Sequence, residues 1–301
     1  MHLGILMTLC LLDRNIVIDI KKHLQSASNV VQTAKVVQTA KKLDTTENMI
    51  SPLLSIIEGN KGKPMTIQDN YDLLQIETNL IKSFYKKAKT DTEFLESNFI
   101  SIIHNLRSEN SEKFEQHKKY IIYAQEKYAD DISPKNFEEE IHKAISLAKQ
   151  DHIPIGDPIV LTVIGTICQN RVAKKVLKPQ KNIDPTEKEQ LAYNAFMDIA
   201  KLKLVAYIKH IGKLRTGGTK LITGDKSLLG LGNQLSIAVK ADEFICNNYY
   251  TEYFVTPVKS FFGELENNHK AFNAIKKELL SHDLRSDTII LPNLAPGKLI
   301  Q

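Results

Sequence analysis

The sequence predicts an α/β fold, with a mainly parallel central sheet flanked by helices and interrupted by a helical insertion. Three observations predict it. The first apolar run is too dense for a strand buried on one face only, later short apolar runs alternate with helical stretches, and from about residue 70 to 150 the apolar spacing is helical throughout. The composition is that of a globular chain: 301 residues, 42% apolar and 25% charged, with 40 Lys+Arg against 35 Asp+Glu and a formal charge of +5. Collagen-like, disordered and disulfide-stapled classes are thereby excluded. So mild a charge excess requires any nucleic-acid affinity to come from local clusters of Lys and Arg. The chain divides into a first α/β part (1–66), the helical insertion (67–150) and a second α/β part with a C-terminal helix (151–301).

Residues 5–20 are a near-continuous apolar run, interrupted by Asp13-Arg14-Asn15 and resuming at Ile16-Val17-Ile18, and read as a strand buried on both faces. The start, Met1 to Leu12, lacks the basic residues and small-residue cleavage pattern of a signal peptide and is too short to span a bilayer. Val30-Val31-Gln32-Thr33-Ala34-Lys35 is repeated at once as residues 36–41, a local duplication in a helix or linker. Met49 to Gly59 is a second apolar element that delivers Glu58 near its end, and Lys61-Gly62-Lys63-Pro64 punctuates it.

Leu73, Ile76, Leu80 and Phe84, then Leu95, Phe99, Ile102 and Leu106, then Phe137, Ile141 and Ile145 mark amphipathic helices, four in number, with Ser133-Pro134 as one start. A turn-rich junction at 153–158 precedes the apolar segment Ile159 to Cys168. Asp184-Pro185-Thr186-Glu187 has the form of a capping box opening a long helix through Asn194 and Asp198 to about Lys209. Lys220 to Asp225 reads as a short strand ending in a polar turn, followed by an apolar run at 238–246, strand-like Tyr253-Phe254-Val255, and a final helix around 258–280. Cys10, Cys168 and Cys246 lie far apart in apolar segments, as small buried hydrophobes of a reducing, cytoplasmic compartment do. His104, His117, His142 and His152 have no short metal-ligand spacing.

Ligands of parallel sheets gather at the carboxyl ends of the strands, and Asp13, Glu58 and Asp225 sit at or just beyond the ends of apolar runs. Carboxylates crowded there repel one another, and a hard divalent cation relieves the repulsion, which points to Mg²⁺ or Mn²⁺. Such an ion generates hydroxide from water and stabilises phosphoryl charge, so phosphodiester hydrolysis is the natural use.

Asp13-x-Asn15 after the first strand, Ser55-Ile56-Ile57-Glu58, Asn194-x-x-x-Asp198 within a helix, and Thr223-Gly224-Asp225 closing a later strand resemble, in their order, the motifs of PIN-domain nucleases. The resemblance covers about 1–60 and 150–255 and implies a PIN-like fold with metal-dependent cleavage of RNA or single-stranded DNA, in a toxin, defence or processing role. It implies Asp13, Asp198 and Asp225 as metal ligands and Glu58 as the fourth acid, with Asp157 or Glu187 as its alternatives. Asn15, Thr223 and Asn194 would orient carboxylates or water.

Each feature also has a plainer reading. Asp13 alone fits a turn or cap, and Asp198 fits an ordinary helix pair with Lys201. The basic stretch Arg171, Lys174, Lys175, Lys178 and Lys181, with Lys226, tracks a phosphate backbone or is a solvated helix face. Tyr249, Tyr250, Tyr253 and Phe254 stack on bases or pack within a strand core. The competing functions are a catalytically inactive PIN-like scaffold that binds a protein regulator or a second copy through its helical region, and a haloacid dehalogenase-type phosphatase. Against the latter, Asn15 stands where a second Asp is wanted. No membrane association is expected.

Overall fold

The computed structural model describes residues 7–25, 31–59, 65–212, 217–245, 248–258, 260–263, 273 and 285–292. Alternation along the first strand sets the architecture. In β1 (Thr8–Leu12) Leu9 and Leu11 face one side, Cys10 and Leu12 the other, and all four are buried, because successive side chains of a strand point opposite ways. Leu9 and Leu11 enter a large core, while Cys10 and Leu12 enter a smaller one with Ile16, Val17, Ile20, Ala40 and Ile50.

Around β1 lies a four-stranded, all-parallel sheet of order β3-β2-β1-β4, completed by β2 (Asn48–Ser51), β3 (Lys89–Thr90) and β4 (Gly218–Ile222). The predicted α/β class with a parallel central sheet flanked by helices is what forms. Leu11 pairs with Ser51 on one side of β1, and Leu12 with Ile222 on the other. The chain steps outward from β1 to β2 to β3 and then returns to the opposite side of β1 as β4. That reversal opens a crevice at the carboxyl ends of β1 and β4, where open parallel sheets bind ligands.

Helices α1 (Arg14–Gln25) and α2 (Val31–Lys42) join β1 to β2, and α3 (Leu53–Glu58) and α4 (Ile67–Phe84) join β2 to β3. Between β3 and β4 run α5 (Thr92–Lys127), α6 (Phe137–Gln150), α7 (Pro158–Ile167), α8 (Arg171–Leu177) and α9 (Pro185–Gly212). After β4, α10 (Lys226–Gln234) leads into β5 (Leu235–Ile245), β6 (Asn248–Pro257) and β7 (Arg285–Pro292), a separate antiparallel sheet of order β5-β6-β7. Helix α9 is anchored on α5, where the Phe114 ring meets Tyr193 edge-on at 5.1 Å and Phe196 at 5.6 Å.

Several local expectations are corrected. Ile16-Val17-Ile18 continue as helix α1, because Asp13 ends the strand and Ile16, Val17 and Ile20 then form one helical face. In α4 the buried stripe is Leu74, Glu77, Thr78 and Ile81, and Ile76 is 50% exposed, so the stripe read from Leu73, Ile76 and Leu80 is rotated by one residue. Between 67 and 150 the α-helices are α4, α5 and α6, and Ser133-Pro134 opens only a 3-10 turn (Pro134–Asn136) without a side-chain cap.

Residues 67–150 also supply β3 at the sheet edge, and Leu95, Phe99, Phe114 and Ile141 share the large core with Leu9 and Leu11. The apolar segment after residue 158 is α7, buried along its whole length. The repeated hexamer lies largely within α2, where Val37 and Ala40 are buried. Cys10 and Cys168 are free and buried, and burial pushes both thiols up, Cys168 to about 12. Cys246, the first six residues, 60–64 and most of the expected helix at 258–280 lie outside the described residues. Among the described residues no helix is long and apolar enough to cross a membrane.

Candidate functional site

Asp13 is the first residue beyond β1, and its N–H donates to the Ile222 carbonyl at 2.9 Å, so strand register carries its carboxylate to the crevice. The Thr223 hydroxyl, just past β4, donates to Asp13 Oδ2 at 2.6 Å. The side chain is thus fixed from both strands, and Asp13 is only 1% exposed.

Lys201 reaches the same point from α9. Its Nζ lies 3.0 Å from Asp13 Oδ1, 3.1 Å from Glu58 Oε2 and 3.0 Å from Asp198 Oδ1. Asp13, Glu58 and Asp198 come from the end of β1, the last turn of α3 and the middle of α9, and they converge on one ammonium. Glu58 is held there because Gly59 stops α3 immediately after it with φ 63°, a conformation that favours glycine. Asp198 Oδ2 also accepts from Lys178 Nζ at 2.9 Å. Two ammoniums against three carboxylates leave the group with one negative charge in excess.

The electrostatics follow from burial and mutual proximity. Burial pushes the Asp13 carboxyl up, but the Lys201 ammonium and the hydrogen bonds from Thr223 and Lys201 outweigh it and hold the group below its ordinary value. Glu58 is raised, by burial first and then by the negative charges of Asp13 and Asp198, with Lys201 only partly offsetting them. Burial alone would lower Lys201, yet the three surrounding carboxylates raise it above the ordinary lysine value, so it stays charged.

Sequence reasoning missed a neighbouring acid, Glu77 of α4. The Ser55 hydroxyl donates to Glu77 Oε1 at 2.9 Å, and an Arg14 guanidinium nitrogen lies 3.8 Å from the same oxygen. Arg14 follows Asp13 directly and Ser55 sits one turn before Glu58, so Glu77 braces the carriers of both acids. Glu77 is 4% exposed, its Oε2 has no hydrogen-bond partner, and burial pushes its carboxyl up to about 7. The sequence did hold a signal: Glu77 falls between Leu74 and Ile81 at helical spacing, a carboxylate on an apolar stripe.

Asp225 does not join the three acids around Lys201. As N-cap of α10 its Oδ1 accepts from the Ser227 and Leu228 N–H groups at 2.7 and 3.0 Å, while its own N–H donates to Thr223 Oγ1 at 3.0 Å. Thr223 therefore links it to Asp13 indirectly. Asp225 also lines an open cleft with Asn15, Ile18, Asp19, Lys22 and Gly224. Asn15 is exposed on that cleft, and Asn194 lies half-buried one turn before Asp198.

The basic stretch is divided. Lys174 pairs with Asp131 at 2.7 Å, Lys181 pairs with Asp130, and Lys178 turns into the acidic group, while Arg171, Lys175 and Lys226 are exposed. Glu187 is exposed in the first turn of α9. Asp157 occupies a second buried network: Lys203 Nζ lies 2.8 Å and His117 Nε2 3.7 Å from its Oδ2, and its Oδ1 accepts from the Ile159 N–H at 2.8 Å. Glu58, and neither of these two acids, shares the ammonium with Asp13 and Asp198. Tyr253 is buried in the large core, and the side chains of Tyr249, Tyr250 and Phe254 lie outside the described residues.

Comparison of the chain with protein-family models, with curated proteins and with solved structures found no match. The chemistry therefore rests on the residues themselves. Among the described residues no group of three or more His, Cys, Asp or Glu side chains is placed to hold a metal ion. The contacts of 3.0–3.1 Å around Lys201 are ammonium distances, whereas Mg²⁺ takes oxygens at about 2.0–2.1 Å. The donor set itself, carboxylate oxygens from three elements around one cationic centre, is of the hard kind that Mg²⁺ and Mn²⁺ prefer.

Proposed function

We propose that the chain is a PIN-like, divalent-metal-dependent phosphodiester hydrolase acting on RNA. One observation carries the reading: Asp13, Glu58 and Asp198, far apart in sequence, surround a single cation position at the strand-order reversal of a parallel sheet. These three side chains would hold Mg²⁺ or Mn²⁺, which when bound supplies an activated water and neutralises phosphoryl charge. Thr223 keeps one Asp13 oxygen turned away and the other turned inward. Lys178 neutralises the outer oxygen of Asp198, and the cleft of Asn15, Asp19, Lys22 and Asp225 offers the adjoining space for a nucleotide. RNA as the substrate, and a toxin or defence role, rest on the resemblance of the motifs.

A second reading is supported by Lys201 itself: a buried ammonium that already compensates the acids is what a catalytically inactive PIN-like scaffold would keep. Labelled RNA and single-stranded DNA, incubated with Mn²⁺ or Mg²⁺ with and without chelator, separate the two. The hydrolase reading expects metal-dependent cleavage of RNA that falls at least about a hundredfold in folded Asp13→Asn and Asp198→Asn proteins. Asp225→Asn, which preserves the helix cap, is expected to retain more activity than either. Undiminished cleavage in Asp13→Asn would remove the site, absence of cleavage with all substrates would favour the scaffold, and turnover of p-nitrophenyl phosphate would favour the phosphatase.

A further inference from the structure

The least expected group at this site is the lysine in its middle. Lys201 is 4% exposed, and an ammonium has three N–H donors and no acceptor. Three carboxylates from three different elements surround it at 3.0–3.1 Å; it donates hydrogen bonds to Asp13 Oδ1 and Glu58 Oε2 and forms an ion pair with Asp198 Oδ1. A helix pair at i,i+3 explains only the contact with Asp198; the contacts with Asp13 and Glu58 depend on the packing of α9 against the ends of β1 and α3. Lys178 already compensates the other oxygen of Asp198, so Lys201 is the cation shared by all three acids.

We propose that Lys201 is a tethered counter-ion that occupies the cation position of the Asp13, Glu58 and Asp198 centre, and that it must withdraw when a divalent ion binds. This inference rests on the metal-dependent reading above and adds a regulatory element to it: Lys201 sets the affinity of the centre for the ion. The physical basis is competition at one point. Two cations cannot share a position within hydrogen-bond distance of the same three oxygens, because their mutual repulsion in a buried setting exceeds what either gains. Lysine suits the task, since its four-carbon stem is flexible and carries a compact charge that can swing out. Without the divalent ion, Lys201 keeps three crowded carboxylates, two of them buried, from repelling one another and so stabilises the fold.

Calorimetric titration of the full-length protein with Mn²⁺ provides the test, using wild type, Lys201→Met, Lys201→Gln and Asp13→Asn. The expected result is Mn²⁺ binding at least about tenfold tighter in both Lys201 variants than in wild type, because the competitor is gone. Asp13→Asn is expected to abolish binding. The Lys201 variants should also melt below wild type in chelator and recover with Mn²⁺, since a ligand that binds only the folded state stabilises it. A second measurement needs no variant: reductive methylation of wild type, followed by peptide mass spectrometry, should find Lys201 protected in chelator and reactive at saturating Mn²⁺.

Binding that depends on Asp13 but is equal or weaker in the Lys201 variants would overturn the competition while leaving the metal-dependent reading intact. So would unchanged Lys201 labelling at saturation. Absence of Mn²⁺ binding in every protein, the Lys201 variants included, would overturn both. Binding by the Lys201 variants but not by wild type would overturn the withdrawal of Lys201 and the metal-dependent reading of the natural chain together, leaving lysine as the resident cation.

Discussion

At the scale of single residues, the site illustrates how burial turns ordinary side chains into coupled ones. Glu77 is the clearest case: its carboxyl is pushed up to about 7 because desolvation outweighs the Ser55 hydrogen bond and the Arg14 charge. A carboxyl raised in the folded state binds its proton more tightly there than in the unfolded chain, so its contribution to stability is present below about pH 4.5 and is lost as pH rises toward 7. The shift corresponds to about 3 kcal/mol. Glu77→Gln, the neutral isostere, is therefore expected to match wild type at pH 5 and to exceed it at pH 8 in urea midpoint. A lower midpoint for the variant at pH 8 would show that the pairing with Arg14 dominates instead. Residues of this kind are half legible in sequence: Glu77 stands on an apolar stripe, but nothing local says that Ser55 and Arg14 will face it.

At the scale of elements, helix termini decide which acids are free to act. Asp157 precedes Pro158, the arrangement of an N-cap followed by proline in the first turn, and its Oδ1 does cap α7. Its other oxygen meets Lys203, which projects from α9 only two residues after Lys201 and therefore on another face of the same helix. One long helix thus feeds ammonium groups to two separate buried acids. Asp157→Ala removes the cap and strands a buried lysine, and is expected to cost about 3–5 kcal/mol by denaturant unfolding. Asp157→Asn, which keeps the bond to Ile159, should lose less, and an alanine variant within about 1 kcal/mol of wild type would contradict the buried pair. The turn-or-cap reading open to any strand-end Asp is met at Asp225, through the backbone of Ser227 and Leu228. At Asp198, the plain helix pair with Lys201 exists as read, yet it forms one part of a larger group.

At the scale of the whole molecule, β1 organises everything, since its two faces seed two cores and its end carries Asp13 to the crevice. The helices of 67–150 contribute to the larger core together with α9, through Phe114 against Tyr193 and Phe196. Phe114→Ala is therefore expected to cost about 3–5 kcal/mol of stability for the entire chain. Circular dichroism and tyrosine fluorescence should then report coincident unfolding transitions, whereas a loss confined to helical signal would mark 67–150 as an independent unit. The α/β class, the doubly buried first strand and the placement of acids at the ends of apolar runs were determined by the sequence itself, because alternation and helical spacing are local properties of the chain. Which acids meet, and that a lysine stands among them, was decided only in three dimensions. The mutual positions of residues 13, 58, 198 and 201 depend on strand order and on the rotation of α9 about its axis, and no local periodicity encodes either.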